Sequence, residues 1–152
     1  MRRRERELTK EAAEKILEEG EYGILATCGE DGWPYGVPLS YVWDEGKLYF
    51  HGAVTGHKLK NIAYNEKASF TVVGRTHVLP EAFSTAYQSA VAFGRFRSVE
   101  PEKQREALML LARKYCPDNL ENAGHYADKM LGHVGMYCME IVHLTGKARP
   151  DR

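Results

Sequence analysis

The sequence predicts a small, mainly β domain in which an antiparallel sheet closes into a barrel with helices inserted between strands. Two observations predict this class: six short runs have strand-like apolar patterns, and most of the connections between them are too short for parallel crossovers. Helical patterns occupy the longer connections. With 152 residues, the chain is long enough to bury a core as one domain, residues 1–152, without disulfide bonds.

The six predicted strands contain two informative local signals. Pro38 marks the second strand as an edge or bulged strand, because proline cannot donate a hydrogen bond to a sheet ladder, and it could leave backbone open to a ligand. Gly94 in the fifth strand predicts a bulge or a close backbone approach. The strands are predicted at residues 22–28, 33–43, 47–52, 68–74, 87–97 and 136–144, and residues 75–84 are predicted to form a polar loop.

Helical patterns precede and interrupt these strands. Thr9 is a good N-cap for a first helix that presents an apolar face and ends before Gly20. Pro101 occupies the favoured first position of a later helix, whose apolar stripe ends at Tyr115. The predicted helices cover residues 10–19, 58–65 and 101–115, with a looser helical segment over 125–131.

The charge balance and the apolar runs of the sequence disfavour a nucleic-acid-binding protein and a membrane protein. Lys plus Arg and Asp plus Glu both number 21, so the formal net charge is zero and no long-range field favours nucleic acid. The basic cluster 2–4 is followed at once by Glu5 and Glu7. The sequence contains no apolar run of membrane-spanning length and no secretory signal, so we expect a cytoplasmic protein. Zero net charge with 43% hydrophobic residues favours self-association.

Cysteine and histidine usage does not predict a metal site. Cys28, Cys116 and Cys138 are odd in number and form no CxxC pair, so we expect buried free thiols in a reducing compartment. The six histidines form no HExxH motif.

The candidate site lies within residues 37–61. A hairpin there leads into the small-residue segment 52–56, and His57 and Lys58 follow at the start of a short helix. Free backbone N–H groups at a helix start, together with a lysine, can hold an anion. Taken alone, this pair is also typical of an ordinary helix start, and His51 is typical of a half-buried strand histidine.

The chain resembles the FMN-binding split barrels related to pyridoxamine 5′-phosphate oxidase, and within them the nitroimidazole-reductase-like branch. The resemblance covers nearly the whole chain through the order of YGILAT, DGWPYGVPLSYVWDEGKLYFHGA, GHKLKNI, ASFTVVG, VAFG, KYCP and EIVHLTGKARP. It implies a six-stranded antiparallel split β-barrel. It also implies a homodimer with FMN in a groove at the subunit interface, where both subunits contribute residues.

Matching positions imply a set of flavin contacts. The phosphate would lie beside His57 and Lys58, and Ser89 would come from the partner subunit. His51 occupies the place of a histidine that lies near the flavin in the nitroimidazole-reductase-like branch, so it is the candidate catalytic residue and a candidate proton donor. The implied cofactor-binding residues are Gly36, Val37, Pro38, Leu39, Ser40, Tyr41, His51, Gly52, His57, Lys58 and Ser89.

Two departures disfavour oxidation of vitamin B6. Gly36 and Tyr41 stand where the oxidases carry Arg and Lys, and the terminus HLTGKARPDR does not match the Arg-containing end of the oxidases. The resemblance therefore implies an FMN-dependent oxidoreductase that reduces small electron-poor substrates such as nitroimidazoles. NAD(P)H or another reductant would reload the flavin.

Three alternatives stay open on the sequence. The first is a flavin- or haem-binding module without turnover, for which His51, His125 or His143 could be the axial haem ligand. The second is an enzyme related to pyridoxamine 5′-phosphate oxidase that acts on another substrate, and the third is a scaffold that has lost its cofactor. Trp33 and Trp43 could shield the flavin edge or serve in packing.

Overall fold

The computed structural model describes residues 3–150, which form a seven-stranded antiparallel sheet curled around a core, with four α-helices at its ends and sides. The strand order is β2-β1-β5-β6-β7-β4-β3. The elements are α1 (Lys10–Glu19), β1 (Tyr22–Cys28), β2 (Pro34–Ser40), β3 (Val42–Asp44), β4 (Lys47–Gly52), α2 (His57–Tyr64), β5 (Lys67–Leu79), β6 (Ser84–Ser98), α3 (Gln104–Tyr115), α4 (Leu120–Met130) and β7 (Gly135–Arg149).

The predicted second strand is two strands, β2 and β3, which form the opposite edges of the sheet. Tyr41 lies between them, and its backbone N–H and C=O both hydrogen-bond the Tyr115 hydroxyl, at 2.9 and 2.8 Å, instead of a neighbouring strand. The Tyr41 side chain is fully buried, and its hydroxyl donates to the Leu17 carbonyl. The split-barrel fold is confirmed, with seven strands. The expected closure of the sheet and the count of six strands were wrong, because this buried corner interrupts the ladder and leaves β2 and β3 as unpaired edges.

Alternate side chains of the strands fill the barrel interior. The largest fully buried ones there include Leu25, Leu48, Phe50, Phe70 and Phe96. Helix α1 lies against β5, β6 and β7 and adds buried apolar side chains to the same core. The predicted N-cap of α1 is confirmed, since the Thr9 hydroxyl accepts a hydrogen bond from the Ala12 N–H at 3.2 Å.

Helices α3 and α4 contribute to a second apolar cluster, which includes outward-facing residues of β3 and β7. The predicted apolar stripe of α3 is confirmed at Ala107, Leu108 and Leu111, although a short 3₁₀ turn at Pro101–Lys103 precedes the helix. Helix α4 adds the buried Ala127. The outward face of β2, β1, β5 and β6 is not covered in this way, and several of its apolar side chains are exposed.

The prediction of a polar loop over residues 75–84 is wrong. Strands β5 and β6 continue into it as a hairpin, which closes through a short turn at Pro80–Ala82 with Phe83 in the left-handed region at φ 44°. The β-branched residues of this segment favour a strand over a loop. By contrast, the signal at Gly94 is confirmed: the β6–β7 register shifts there, and a β-carbon on Gly94 would overlap the Glu140 carbonyl.

All three cysteines are free, as predicted, but none of them is fully buried. Cys28 and Cys138 are half-buried, whereas Cys116 is exposed at the end of α3. Within residues 3–150, no helix has the length and apolar character needed to cross a lipid bilayer.

Candidate functional site

The connection from β4 into α2 presents free backbone donors. Gly56 precedes the helix with φ 142°, a conformation that a side chain would strain, and having no side chain it cannot cap the helix. The first turn of α2 contains no acidic residue. The Leu59 N–H already donates to the Gly56 carbonyl at 3.1 Å, so the N–H groups of His57 and Lys58 and the positive end of the helix dipole are available to an anion.

Lys58 brings a positive charge to the same place. Its ammonium lies 3.6 Å from the position that a β-carbon on Gly52 would occupy, so the side chain folds back over the end of β4. The absence of a side chain at Gly52 keeps that approach open. An ammonium and free N–H groups at a helix start form the donor set that a phosphate requires, and α2 carries both, so these residues fit the phosphate of a flavin nucleotide.

His57 joins α2 to the edge strand β2. Its ring stacks on Tyr35, with 4.2 Å between the ring centroids and 13° between the planes. The resemblance implied that His57 lies beside the phosphate. The structure adds that His57 also contacts β2, the strand along which the flavin is expected. An open depression of about 830 Å³ lies beside the helix start. Its lining includes Thr55, Gly56, His57 and Lys60 but also the acidic Glu30 and Asp31, and it does not include Lys58.

Strand β2 divides the predicted flavin contacts between its two faces. Its edge position, predicted from Pro38, is confirmed. Gly36, Pro38 and Ser40 are exposed, whereas Val37 and Leu39 are half-buried and pack against the barrel core. The side chain of Tyr41 lies inside the core, and its backbone groups are hydrogen-bonded to the Tyr115 hydroxyl. Tyr41 therefore stabilises the corner of the barrel, and neither its side chain nor its backbone is free to contact a flavin.

Two predicted contacts lie apart from the group around Lys58. His51 is exposed at the end of β4, on the strand face opposite to Phe50 and Gly52 because successive strand residues alternate. Ser89 lies on β6, which is separated from β2 by β1 and β5. At about 4.8 Å between strands, this places Ser89 roughly 14 Å from β2 within one chain.

The structure also contains site-supporting contacts that the sequence did not indicate. Tyr35 immediately precedes the predicted flavin run, and Asn61 on α2 hydrogen-bonds Thr27 on β1. No spacing motif links these residues, because their partners come from separate elements. Of the two tryptophans, Trp33 is exposed and Trp43 packs against the barrel core.

An antiparallel split barrel with helices at its ends and sides is the class of fold that this chain adopts. The sequence profile of the pyridoxamine 5′-phosphate oxidase family matches residues 9–148, so the chain belongs to this family. No curated protein sequence matches the chain significantly.

Solved structures share the fold at low sequence identity. A candidate 5-nitroimidazole antibiotic resistance protein from Bacteroides thetaiotaomicron is 22% identical with a TM-score of 0.79, covering 92% of this chain and 84% of its own. A FAD-binding protein from Mesorhizobium loti is 22% identical with a TM-score of 0.66, covering 95% and 98%. A FAD- and haem-binding protein from Mycobacterium smegmatis is 21% identical with a TM-score of 0.77, covering 95% and 74%.

Proposed function

We propose that the chain binds FMN as a homodimer and uses it to reduce small electron-poor substrates such as nitroimidazoles. The observation that carries the proposal is the Lys58 ammonium lying over Gly52 at the end of β4, on a helix whose first turn has no side-chain cap. Membership of the pyridoxamine 5′-phosphate oxidase family supports a flavin, and the similarity to a candidate nitroimidazole resistance protein supports the substrate class.

In this proposal the protein orients the cofactor and controls protons. Bound flavin would supply the hydride chemistry, with NAD(P)H as the electron donor. Lys58 and the first turn of α2 would hold the phosphate, and the backbone of β2 from Gly36 to Ser40 would run beside the ring system. His51 would deliver protons to the reduced substrate, a role that its exposed position at the end of β4 permits.

The dimer is proposed from the uncovered outward face of the sheet. Ile24, Val73 and Phe93 are exposed there, in a region that neither α3 nor α4 covers. Exposed apolar patches of this kind mark interaction sites. Because Ser89 is roughly 14 Å from β2 within one chain, a second copy packed on this face is the simplest way to bring a Ser89 side chain to the flavin.

A visible absorption spectrum of the purified protein tests the proposal first, followed by anaerobic reduction with NAD(P)H and addition of a nitroimidazole. We expect flavin bands that bleach on reduction and return as the nitro compound is consumed. Release and chromatography of the cofactor identify FMN or FAD. Protein that binds neither FMN nor FAD when either is supplied would contradict the proposal.

A second candidate function is flavin or haem binding without turnover. The M. smegmatis relative is described as binding FAD and haem, and His143 lies on the open sheet face with its ring stacked near Phe93, 6.1 Å between centroids. The same spectrum separates the candidates. A Soret band indicates haem, and flavin bands that bleach but are not restored by any nitro acceptor indicate a flavin-binding module.

A further inference from the structure

Thr27 and Asn61 are the buried polar residues of the described chain, each only 4% exposed, and they are hydrogen-bonded to each other. The Asn61 Nδ2 donates to the Thr27 Oγ1 at 3.1 Å. Thr27 lies near the end of β1 and Asn61 lies in the middle of α2. This bond is therefore a direct polar link between the sheet and the helix whose first turn forms the proposed phosphate site.

Gly29 makes this link possible. A β-carbon at position 29 would overlap the Asn61 Oδ1, so the asparagine side chain reaches its buried place only because residue 29 is glycine. A buried amide costs free energy unless it is hydrogen-bonded, so the orientation of Asn61 is fixed by its partner.

Asn61 lies close enough to the start of α2 for its hydrogen bond with Thr27 to orient the first turn of the helix. It lies three residues after Lys58 in an eight-residue helix, so fixing Asn61 fixes the direction of the first turn. The other contacts that α2 makes with the barrel core are apolar, through Leu59 and Ile62, and apolar packing is non-directional. The hydrogen bond and the Tyr35–His57 stack together set both the rotation and the position of the helix.

We propose that Asn61 is a positioning residue for the flavin phosphate, acting through Thr27 to aim Lys58 and the first-turn N–H groups at the end of β4. The inference rests on the proposed flavin function. It predicts that the link affects the phosphate of the ligand and leaves the recognition of the isoalloxazine ring unchanged.

The test compares FMN with riboflavin, which lacks the phosphate. Thr27→Val removes the acceptor at nearly constant volume, and we expect it to weaken FMN binding roughly tenfold while riboflavin binding stays unchanged. Thr27→Ser keeps the hydroxyl and should retain FMN affinity. Asn65→Ala is the matched control, because Asn65 lies at the opposite end of α2, where its side chain accepts from the Lys67 N–H.

Thermal unfolding of each variant accompanies the titrations. If Thr27→Val is poorly folded, Asn61→Leu combined with Thr27→Val replaces the polar pair by an apolar pair and should show the same selective loss of FMN affinity. Equal losses for FMN and riboflavin, an unchanged FMN affinity, or a Thr27→Ser variant as weak as Thr27→Val would overturn the positioning role. Wild-type protein that binds no flavin would instead overturn the proposed function itself, and the inference with it.

Discussion

Lys58 is the residue on which the proposed cofactor site depends most directly, because its ammonium lies over Gly52 and the residue itself belongs to the uncapped first turn of α2. Replacing Lys58 by Ala should weaken FMN binding by about 1.5–3 kcal/mol, the range for a hydrogen bond to a charged group. Isothermal titration with FMN and with riboflavin measures the effect, and riboflavin affinity should not change.

Lys67→Ala provides the matched control for Lys58. Lys67 is an exposed lysine at the start of β5, and it does not line the depression at the start of α2. The two variants remove the same charge, so a difference between them reports the position of Lys58. Equal FMN affinity in Lys58→Ala and wild type would show that α2 does not hold the phosphate.

Lys114 predicts a pH dependence of stability. Its ammonium is buried without a hydrogen-bond partner, 3.9 Å above the centroid of the Tyr41 ring, and desolvation lowers the pKa of Lys114 to about 8. Between pH 8 and the ordinary lysine range, the unfolded chain binds more protons than the folded chain. The contribution of Lys114 to the free energy of unfolding therefore rises with pH across this window.

Lys114→Met should accordingly be more stable than wild type at pH 7, by roughly 1 kcal/mol because solvent screens part of the charge. This advantage should shrink towards pH 10. Urea denaturation at pH 7, 8 and 9.5 measures the difference in the free energy of unfolding between the two proteins. Groups present in both proteins contribute equally and cancel in this difference. One such group is the Cys138 thiol, whose pKa is raised by burial. A constant difference across these pH values would show that Lys114 titrates as an exposed lysine.

At the scale of the elements, two glycines should respond in opposite directions to the same substitution. A β-carbon on Gly94 would overlap the Glu140 backbone at the β6–β7 bulge, whereas Gly124 lies in α4, and the nearest group to its β-carbon is the Arg105 guanidinium at 3.9 Å. Gly94→Ala should lower the free energy of unfolding by about 2–4 kcal/mol. Gly124→Ala should raise it by roughly 0.5–1 kcal/mol.

Urea denaturation of both glycine variants measures these changes, with secondary structure followed by circular dichroism. The overlap lies at the β6–β7 bulge and not in a helix, so Gly94→Ala should lose stability without losing the helical signal below the transition. A Gly94→Ala protein as stable as Gly124→Ala would mean that the backbone at residue 94 has room to shift.

The elements also show which features the sequence can predict. Pro38 and Gly94 act through their own backbone chemistry, so the edge strand and the bulge could be predicted locally. The corner at Tyr41 could not, because its backbone groups are satisfied by Tyr115, 74 residues away. The stack between Tyr35 and His57 likewise depends on how β2 and α2 meet in space.

At the scale of the whole molecule, the sequence predicted the fold better than the arrangement of the site. The motif order identified a split barrel, but it could not show that Ser89 lies three strands from β2 within one chain. Such relations depend on sheet order and register, which connect residues far apart in the chain.

The uncovered sheet face predicts that oligomeric state and flavin binding are coupled. Phe93 is 46% exposed on this face, and Val73 on the neighbouring strand is 59% exposed. Replacing Phe93 by Glu places a charge at the centre of the proposed interface, where an unpaired buried charge is strongly unfavourable. We expect Phe93→Glu to be folded but monomeric, and to bind FMN at least tenfold more weakly than wild type because Ser89 of a second copy is lost.

Sedimentation velocity and FMN titration on the same samples measure this coupling. Tyr126→Glu is the control, since Tyr126 is 61% exposed on α4, which packs on α3 in the second apolar cluster, and it should leave both mass and affinity unchanged. A Phe93→Glu protein that remains dimeric would place the interface elsewhere. A monomeric variant with wild-type FMN affinity would show that one chain holds a complete cofactor site, and Ser89 would then have no part in it.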